Sequence, residues 1–517
     1  MTKERREGTL VEPVSRLSRE HIEAVHKASL SLLDDPGILC FNESAAGIFD
    51  KAGCTVNPKK DEPGARWVRI PGKLVEKSLD SAPEKVVLGA RDPRNRLVLD
   101  ARIPEVYFGT GSETNIYLDT EIREYVCKQD SAQTFLGPFF EEKRGTAGYL
   151  CQSAKLCDRL EQVDFFIRNV NIQDEGITQE NKDVNVFMAS LMYSTKHVQS
   201  GLVELNSLEH VLRLAEIMTG NGETPSKDPV ISFITCVIKS PLQMVDDTTE
   251  KMIAIAGKGY PVVISSSPQG GSTAPIQEEG MTAMINAEIL AGITLAQIIN
   301  PGTPVLYGAV PVRARLDTLH DLYGVPEVIH YNTDCIQMAR YYGVPCYSTA
   351  GVGDAKVPGM QATIEKIFSQ LFIAAAGAQY VHYAFGLLDK TNTFSPLQAV
   401  LDDAQIGLVR GILRRPVFDG QDALEAVEQI KKVMDSKTRL FARHIRKAVR
   451  KGLVSPAYPF ETRESEDRVL IKAFKRLSDI VAGPDRKPDE FLIDKIYEEI
   501  PGLLPRESFF VPKIKNG

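Results

Sequence analysis

What this sequence lacks narrows its class. Its eight cysteines, at 40, 54, 127, 151, 157, 236, 335 and 346, include no CxxC pair. That argues against a disulfide frame and a zinc-spaced set, and it leads us to expect reduced thiols in a cytoplasm. No apolar run reaches the ~18 uninterrupted residues that read as a membrane span. The opening MTKERREGTLVEP has no apolar core of the signal-peptide kind. Basic charge is not in excess: 61 Lys and Arg stand against 68 Asp and Glu, a net of −7. Nucleic acid, which is held by clustered cations, is therefore not the expected partner. The nucleophile elbow GxSxG, the zinc motif HExxH, a Walker loop and a GxGxxG after a first strand are all missing. His330, Cys335 and Cys346 would sit mid-helix and in a strand, which disfavours a metal site, and none is expected.

What is present is a repeated strand–loop–helix pattern. Seven apolar strand candidates run in order: Val163–Ile172, Val198–Leu205, Pro229–Val237, Tyr260–Ser267, Pro304–Val310, Pro345–Gly351 and Tyr380–Gly386. Helical patterns follow at about 178–194, 207–219, 241–258, 278–299, 325–342, 358–377 and 397–414, with another at about 144–161 before the first strand. Near-continuous apolar strands alternating with helices imply a parallel sheet covered on both faces. With one further strand, the expected fold is α/β, a (β/α)8 TIM barrel; an open doubly wound sheet is the alternative. The segment 345–361, PCYSTAGVGDAKVPGMQ, is a typical spoke: a buried strand, a loop with Gly351, Gly353, Asp354 and Lys356, then a helix near Pro358.

Three regions are expected. Residues 1–105 form an α+β extension with helices at 18–33, 42–52 and 72–81 and strands at 67–70, 85–88 and 97–99. The barrel covers 106–415. Residues 416–517 form a helical cap or oligomer contact, with amphipathic helices at 421–451 and 465–482 and an extended tail. A homo-oligomer is expected. The helix over 280–300 is apolar enough to be buried on most of its surface. In 106–118, the glycines of Gly109-Thr110-Gly111-Ser112 either admit a ligand to the backbone or make a hairpin.

In a barrel the site lies at the strand C-termini. The candidates there are Tyr107, Glu204, Phe233, Tyr307, Tyr347, Asp354, His382, Tyr383 and Phe385. Aromatics with one or two carboxylates suit a quaternary ammonium, which is held by cation–π contacts. Any single aromatic is better explained by filling the barrel, though the set as a whole is less easily dismissed, and a lone histidine such as His382 more often hydrogen-bonds within a core.

Several segments, in order, resemble the corrinoid-dependent trimethylamine methyltransferase superfamily. They are LSREHIEAVHKASLSLLDDPGI (17–38), WVRIPGKLVEKSLDSAPEKVVLGARDP (67–93), YFGTG (107–111), SPLQM (240–244), GGSTAPI (270–276), NAEILAGITLAQIINPGTPVLYG (286–308), YYGVPCYSTAGVGDAKVPGMQATIEK (341–366) and FSPLQAVLDD (394–403). The resemblance implies a (β/α)8 barrel moving a methyl group from an amine to Co(I) of a corrinoid (cobalamin) on a cognate partner protein. The position that carries pyrrolysine in trimethylamine enzymes falls on Val352, so the chain is similar to the non-pyrrolysine branch, which includes glycine betaine methyltransferases. Gly359-Met360 departs from the acidic residues frequent there in the family. The implied substrate is a betaine-like quaternary amine, its carboxylate met by His382, Lys356 or the serines and backbone of 265–273. Two alternatives stand: a non-catalytic binding protein for a quaternary ammonium solute, and a barrel lyase or hydrolase using Asp354, Lys356 and His382 as acid–base groups.

Overall fold

The computed structural model describes residues 4–127, 130–220, 228–415, 420–441, 449 and 457–514. Eight parallel strands run through its centre: β1 (Glu105–Phe108), β2 (Phe165–Ile167), β3 (His197–Ser200), β4 (Ile231–Thr235), β5 (Val262–Ser266), β6 (Val305–Ala309), β7 (Cys346–Thr349) and β8 (Tyr380–His382). Each pairs in parallel with the next from β2 to β8. β8 then pairs with β1, through Tyr380 to Tyr107 and Val381 to Phe108. One parallel bridge, Gly109 to Phe165, joins the two ends of the run. Thr9–Leu10 pairs antiparallel with Val106 and Glu105, so the N-terminal segment takes part of the β1 edge that β2 does not cover.

A helix follows each strand: α1 (Ala147–Arg159), α2 (Lys182–Tyr193), α3 (Leu208–Thr219), α4 (Asp246–Gly257), α5 (Glu278–Ile299), α6 (Pro326–Tyr342), α7 (Met360–Ala375) and α8 (Pro396–Leu413). Local chemistry sets their ends. α6 starts on a proline, whose missing N–H has no intrahelical partner at that position, and stops at Gly343, with φ +67°. The Ser395 hydroxyl caps α8 by accepting the Gln398 N–H. α5 is apolar and long enough to cross a membrane, but 89 % of its apolar window is buried inside this chain.

Alternation along the strands separates two cores. Val106, Phe108, Phe166, Val198, Ile231, Phe233, Val262, Ile264, Val305, Tyr307 and Val381 face outward and belong to the large core shared with the helices. Tyr107, Phe165, Ile167, Val263, Leu306, Tyr347 and Tyr380 face the interior and pack together. The antiparallel pair Lys85–Leu88 and Leu97–Asp100 adds Val86, Leu88, Leu97 and Leu99 to that inner cluster. It closes the end where the strands start: His197, first residue of β3, sets Nδ1 2.8 Å from the Gly89 carbonyl oxygen.

The differences from the sequence expectation lie between and after the repeats. The missing strand is β1, the aromatic run before Gly109, and its neighbour along the chain does not fold back on it. Instead Ile116–Cys127 pairs with Asp130–Arg144 in a long hairpin, most of it in a stretch, 119–143, to which the sequence reading assigned no element. Its strands are charged on one side and carry Phe135, Leu136 and Phe139 exposed, so no buried-strand pattern announces it. The helix Glu490–Glu499 also lay outside the expectation, and the tail makes a 3-10 turn at Arg506–Phe509 rather than running extended throughout. The helices at 18–33, 42–52, 72–81 and 465–482 appear as Arg19–Asp34, Glu43–Lys51, Gly72–Ser81 and Glu466–Ala482. Of the helix expected over 421–451, Gly420–Met434 is helical; residues 442–448, 450 and 451 lie outside the described residues.

Candidate functional site

A cavity of about 400 Å³ lies at the C-terminal ends of β2, β3, β4 and β7. That falls within the usual range of small-ligand sites, ~300–1,000 Å³. Its wall combines Ile167, Leu202, Ile234 and Ile255 with Tyr347, Tyr383, Cys236, Arg168 and Glu113. A second hollow of about 420 Å³, lined by Val14, Ile364, Phe368 and Phe372, lies on the outer face between α6 and α7, away from the strand ends.

Tyr347 reaches the cavity because it has inward parity on β7. Its ring stacks on His382 with centroids 4.0 Å apart and on Tyr380 at 5.7 Å, and Tyr380 stacks on Phe165 at 3.6 Å. Tyr383 follows β8 with φ +67°. This left-handed conformation is rare for an aromatic residue and costs about 1–3 kcal/mol. It brings the Tyr383 ring to within 3.8 Å of His382 and into the cavity wall. The approach needs Gly111, where a Cβ would lie 2.4 Å from Tyr383 Cδ1. The glycines before Ser112 thus make room for a tyrosine.

The aromatic side of the wall is electrically neutral. Burial drives the Tyr347 and Tyr383 phenols well above their ordinary value and raises the Cys236 thiol. Cys236 Sγ lies 2.8 Å from Ser265 Oγ, accessible from the cavity though enclosed by protein. Burial also holds His382 well below the usual imidazole value, so it is neutral; its Nε2 is 2.7 Å from Thr349 Oγ1. His382 sits behind Tyr347 and Tyr383 and is not part of the cavity lining.

Other sequence candidates lie elsewhere. Phe233 points outward and meets Phe187 and Tyr260 edge-on at 5.9 and 6.3 Å. Tyr307 also points outward, its hydroxyl donating to Asn286 Oδ1 of α5 at 2.8 Å. Tyr107 is interior, but at the strand-start end, where it accepts from Arg5 and donates to the Arg6 carbonyl. Phe385 is buried in the outer core. Glu204 begins the turn before α3 and does not line the cavity. Asp354 accepts the backbone N–H groups of Tyr323 and Gly324, so it ties two loops together; burial raises its carboxyl. Lys356 is exposed. The proposed acid–base trio of Asp354, Lys356 and His382 is therefore dispersed. Val352 is buried with Val312, Tyr323 and Leu387, against Tyr383. His330 pairs with Glu278 on the outer face, while Cys335 and Cys346 are buried; among the described residues no set of three His, Cys, Asp or Glu side chains is placed for a metal.

Sequence reasoning missed Arg168 as a cavity residue, and it missed the anchor of the rim. Lys366 of α7 is fully buried, its ammonium donating to the Gly351 carbonyl and to the Leu387 carbonyl at 3.0 Å, and pairing with Asp402 at 3.2 Å. Asp402 in turn accepts the Gly386 N–H at 2.7 Å and Gln398 Nε2 at 2.9 Å. One ion pair thus fixes the loops after β7 and β8 that carry Val352 and lead from Tyr383.

Parallel strands alternating with helices, with a neutral aromatic cavity at the strand ends, define an α/β protein of the small-molecule enzyme class. The sequence model of the family described as "Trimethylamine methyltransferase (MTTB)" matches residues 5–136 and 139–450. The chain belongs to that family, and by this membership it is a methyltransferase. The trimethylamine methyltransferase MttB of Methanosarcina barkeri is 30% identical over 415 residues, 80% of this chain and 79% of that one. The glycine betaine methyltransferase of Desulfitobacterium hafniense strain Y51 is 26% identical over 450 residues, 87% of each chain. Among solved structures, an N-acetylneuraminate lyase from Mycoplasma synoviae aligns over 70% of this chain and 97% of its own, at 10% identity and TM-score 0.28, a likeness too weak to carry an argument.

Proposed function

We propose that this chain takes a methyl group from a betaine-like quaternary amine and passes it to Co(I) of a corrinoid on a cognate partner protein. The strand run is read as a (β/α)8 barrel, a reading supported by the Gly109–Phe165 bridge between its ends. The observation that carries the substrate class is the pair of neutral phenols, Tyr347 and Tyr383, in a cavity whose lining carboxylate, Glu113, is paired with Arg168. A quaternary ammonium is attracted to such faces by cation–π interaction. Val352, at the position that carries pyrrolysine in trimethylamine enzymes, is an aliphatic side chain sealed among others and can activate nothing.

The chemistry asks little of acid–base groups. The leaving group is a neutral tertiary amine and needs no proton, and the Co(I) corrin supplies the nucleophile when docked. The chain's own task is to orient the methyl group and exclude water. Positive charge on nitrogen falls along the reaction, so a buried carboxylate cage would stabilise the ground state most. The cavity avoids this, with Asp354 and Glu204 both outside its lining. The opening suits an acceptor arriving from outside, since Glu113 is exposed at its edge. A cytoplasmic setting fits the unpaired described cysteines.

Anaerobic incubation with cob(I)alamin and a panel of methylated amines tests the proposal. The expected result is methylcobalamin and a demethylated amine from quaternary substrates. Turnover of tertiary amines with none from quaternary ones would overturn it.

A further inference from the structure

One wall of the cavity is not aromatic. Arg168, the residue after β2, lines it and is 1% exposed. Its Nε and Nη1 have no hydrogen-bond partner within the chain, and Nη2 meets the Glu113 carboxylate. Buried guanidinium groups are normally paired, because five N–H donors removed from water need acceptors. The nearby acid, Asp183, favours the charged form but has committed its oxygens to the N–H groups of Val203 and Glu204 at 2.8–3.0 Å. Lys251, also on the wall, is already bonded to the Val203 carbonyl and to Asp247, both at 2.6 Å. The remaining contact of Arg168 is an ion pair with Glu113, a carboxylate 47% exposed on the loop before the hairpin. That glutamate comes from the mouth side, where it can withdraw into water.

We infer that the Arg168 guanidinium anchors an acidic group of the substrate, with Glu113 occupying it when no such acid is bound. This rests on the amine reading above and sharpens it: the ligand is a zwitterion, its quaternary nitrogen against Tyr347 and Tyr383 and its carboxylate on Arg168. A planar fork of N–H donors matches a carboxylate with two parallel bonds. A simple quaternary cation leaves Glu113 on that fork and gains no contact with it. Glu113 is a built-in competitor, and a substrate carboxylate exchanges with it, ion pair for ion pair.

The test is calorimetric titration of the full chain and of Arg168→Gln and Glu113→Gln with three probes. Glycine betaine carries both groups, choline only the cation, and tert-butylacetate only the carboxylate. The native chain is expected to bind glycine betaine about 10- to 100-fold more tightly than choline, the range for hydrogen bonds to a charged partner. Arg168→Gln abolishes that preference by weakening glycine betaine and leaving choline unchanged. Glu113→Gln, at an exposed site that does not endanger folding, tightens both carboxylated probes. Equal binding of glycine betaine and choline by the native chain, or unchanged affinity of the carboxylated probes in Glu113→Gln, overturns the inference even if Arg168→Gln fails to fold. Equal binding of tert-butylacetate and glycine betaine, with both weakened by Arg168→Gln, instead overturns the amine reading and leaves the anchor standing.

Discussion

Replacing Lys366 with methionine tests the claim that a single buried ion pair holds the rim of the cavity. Methionine keeps the length of the side chain and removes the charge and its donors. Asp402, fully buried, is left with the Gly386 N–H and the Gln398 amide but no counter-charge. Stripping one partner from a buried pair costs about 3–5 kcal/mol. The Gly351 and Leu387 carbonyls lose their donor as well, adding about 1 kcal/mol or more each if water does not replace it. The sum is comparable to a typical folding free energy of ~5–15 kcal/mol. Acid relieves part of it. Burial already raises the Asp402 carboxyl, and losing the ammonium raises it further. A carboxyl raised in the folded state contributes stability that is present below its unfolded value and lost as pH rises through its folded value. The Lys366→Met deficit is therefore smallest in acid and grows toward neutrality. Urea denaturation followed by far-UV circular dichroism at several pH values measures this. Lys366→Met combined with Asp402→Asn should recover most of the loss, giving a coupling of about 2 kcal/mol or more. A single variant within about 1 kcal/mol of the native chain, or additive effects in the double variant, would refute the argument.

Three other outcomes are expected. Gly111→Ala drives a Cβ against Tyr383 Cδ1; demethylation kcat/KM should fall by about 100-fold, the scale of an ångström misplacement, while the circular dichroism spectrum stays native, and an unaffected rate would disconnect Tyr383 from the site. Tyr347→Leu removes a neutral ring from the wall; titration with glycine betaine should show affinity lower by about 3- to 30-fold, and an unaltered value would exclude this ring as the cation's partner. Asp403 accepts the Gln162 N–H at 2.8 Å in a buried setting, where burial pushes its carboxyl from 3.8 up to about 6. Its folded-state value is raised, so its favourable contribution is complete below its unfolded value and lost as pH climbs through about 6. The stability of Asp403→Asn relative to the native chain should rise across that window by roughly 3 kcal/mol; a pH-independent difference would contradict it.

The repeat was legible because apolar strands alternate with helical patterns, and some helices carry their own start and stop. Pro326 and Gly343 bracket α6, and Ser395 with Pro396 opens α8. The parity of the strands was harder to read, since both faces are buried and both accept aromatics. Phe233 and Tyr307 looked like mouth residues but face the helices. A signal did exist. His197, Gln199, Ser232, Ser265, Thr349 and His382 are buried polar side chains on the inward parity, and on β4 that parity sends Phe233 outward. The signal is diluted by outward Ser266 and Ser348, which serve Glu288 and Asn332 of the helix layer. Asp354 misled for a different reason: a carboxylate in a glycine-rich loop reads as ligand-facing, yet here its oxygens are consumed by the N–H groups of a neighbouring loop. Arg168 escaped notice because nothing in FFIRNVN separates a buried cation from a surface one; only the closing of the rim above it does.

Those corrections change the logic of the site. With Asp354 and Glu204 outside the wall, His382 neutral behind it and Glu113 paired with Arg168, the aromatic side of the cavity offers the reacting nitrogen no ionised partner and no proton. A transfer in which cationic charge disappears is favoured by that neutrality, because the ground state gains nothing that the transition state must give up. Binding energy has to come from a part of the ligand that does not react, and Arg168 is the buried ionic group on the wall able to supply it. The arrangement separates holding from reacting: an acid fixed on one wall sets the position of a methyl group beside the other. A substrate shortened by its acid would then lose rate as well as affinity, since the same contact that retains the molecule aims it.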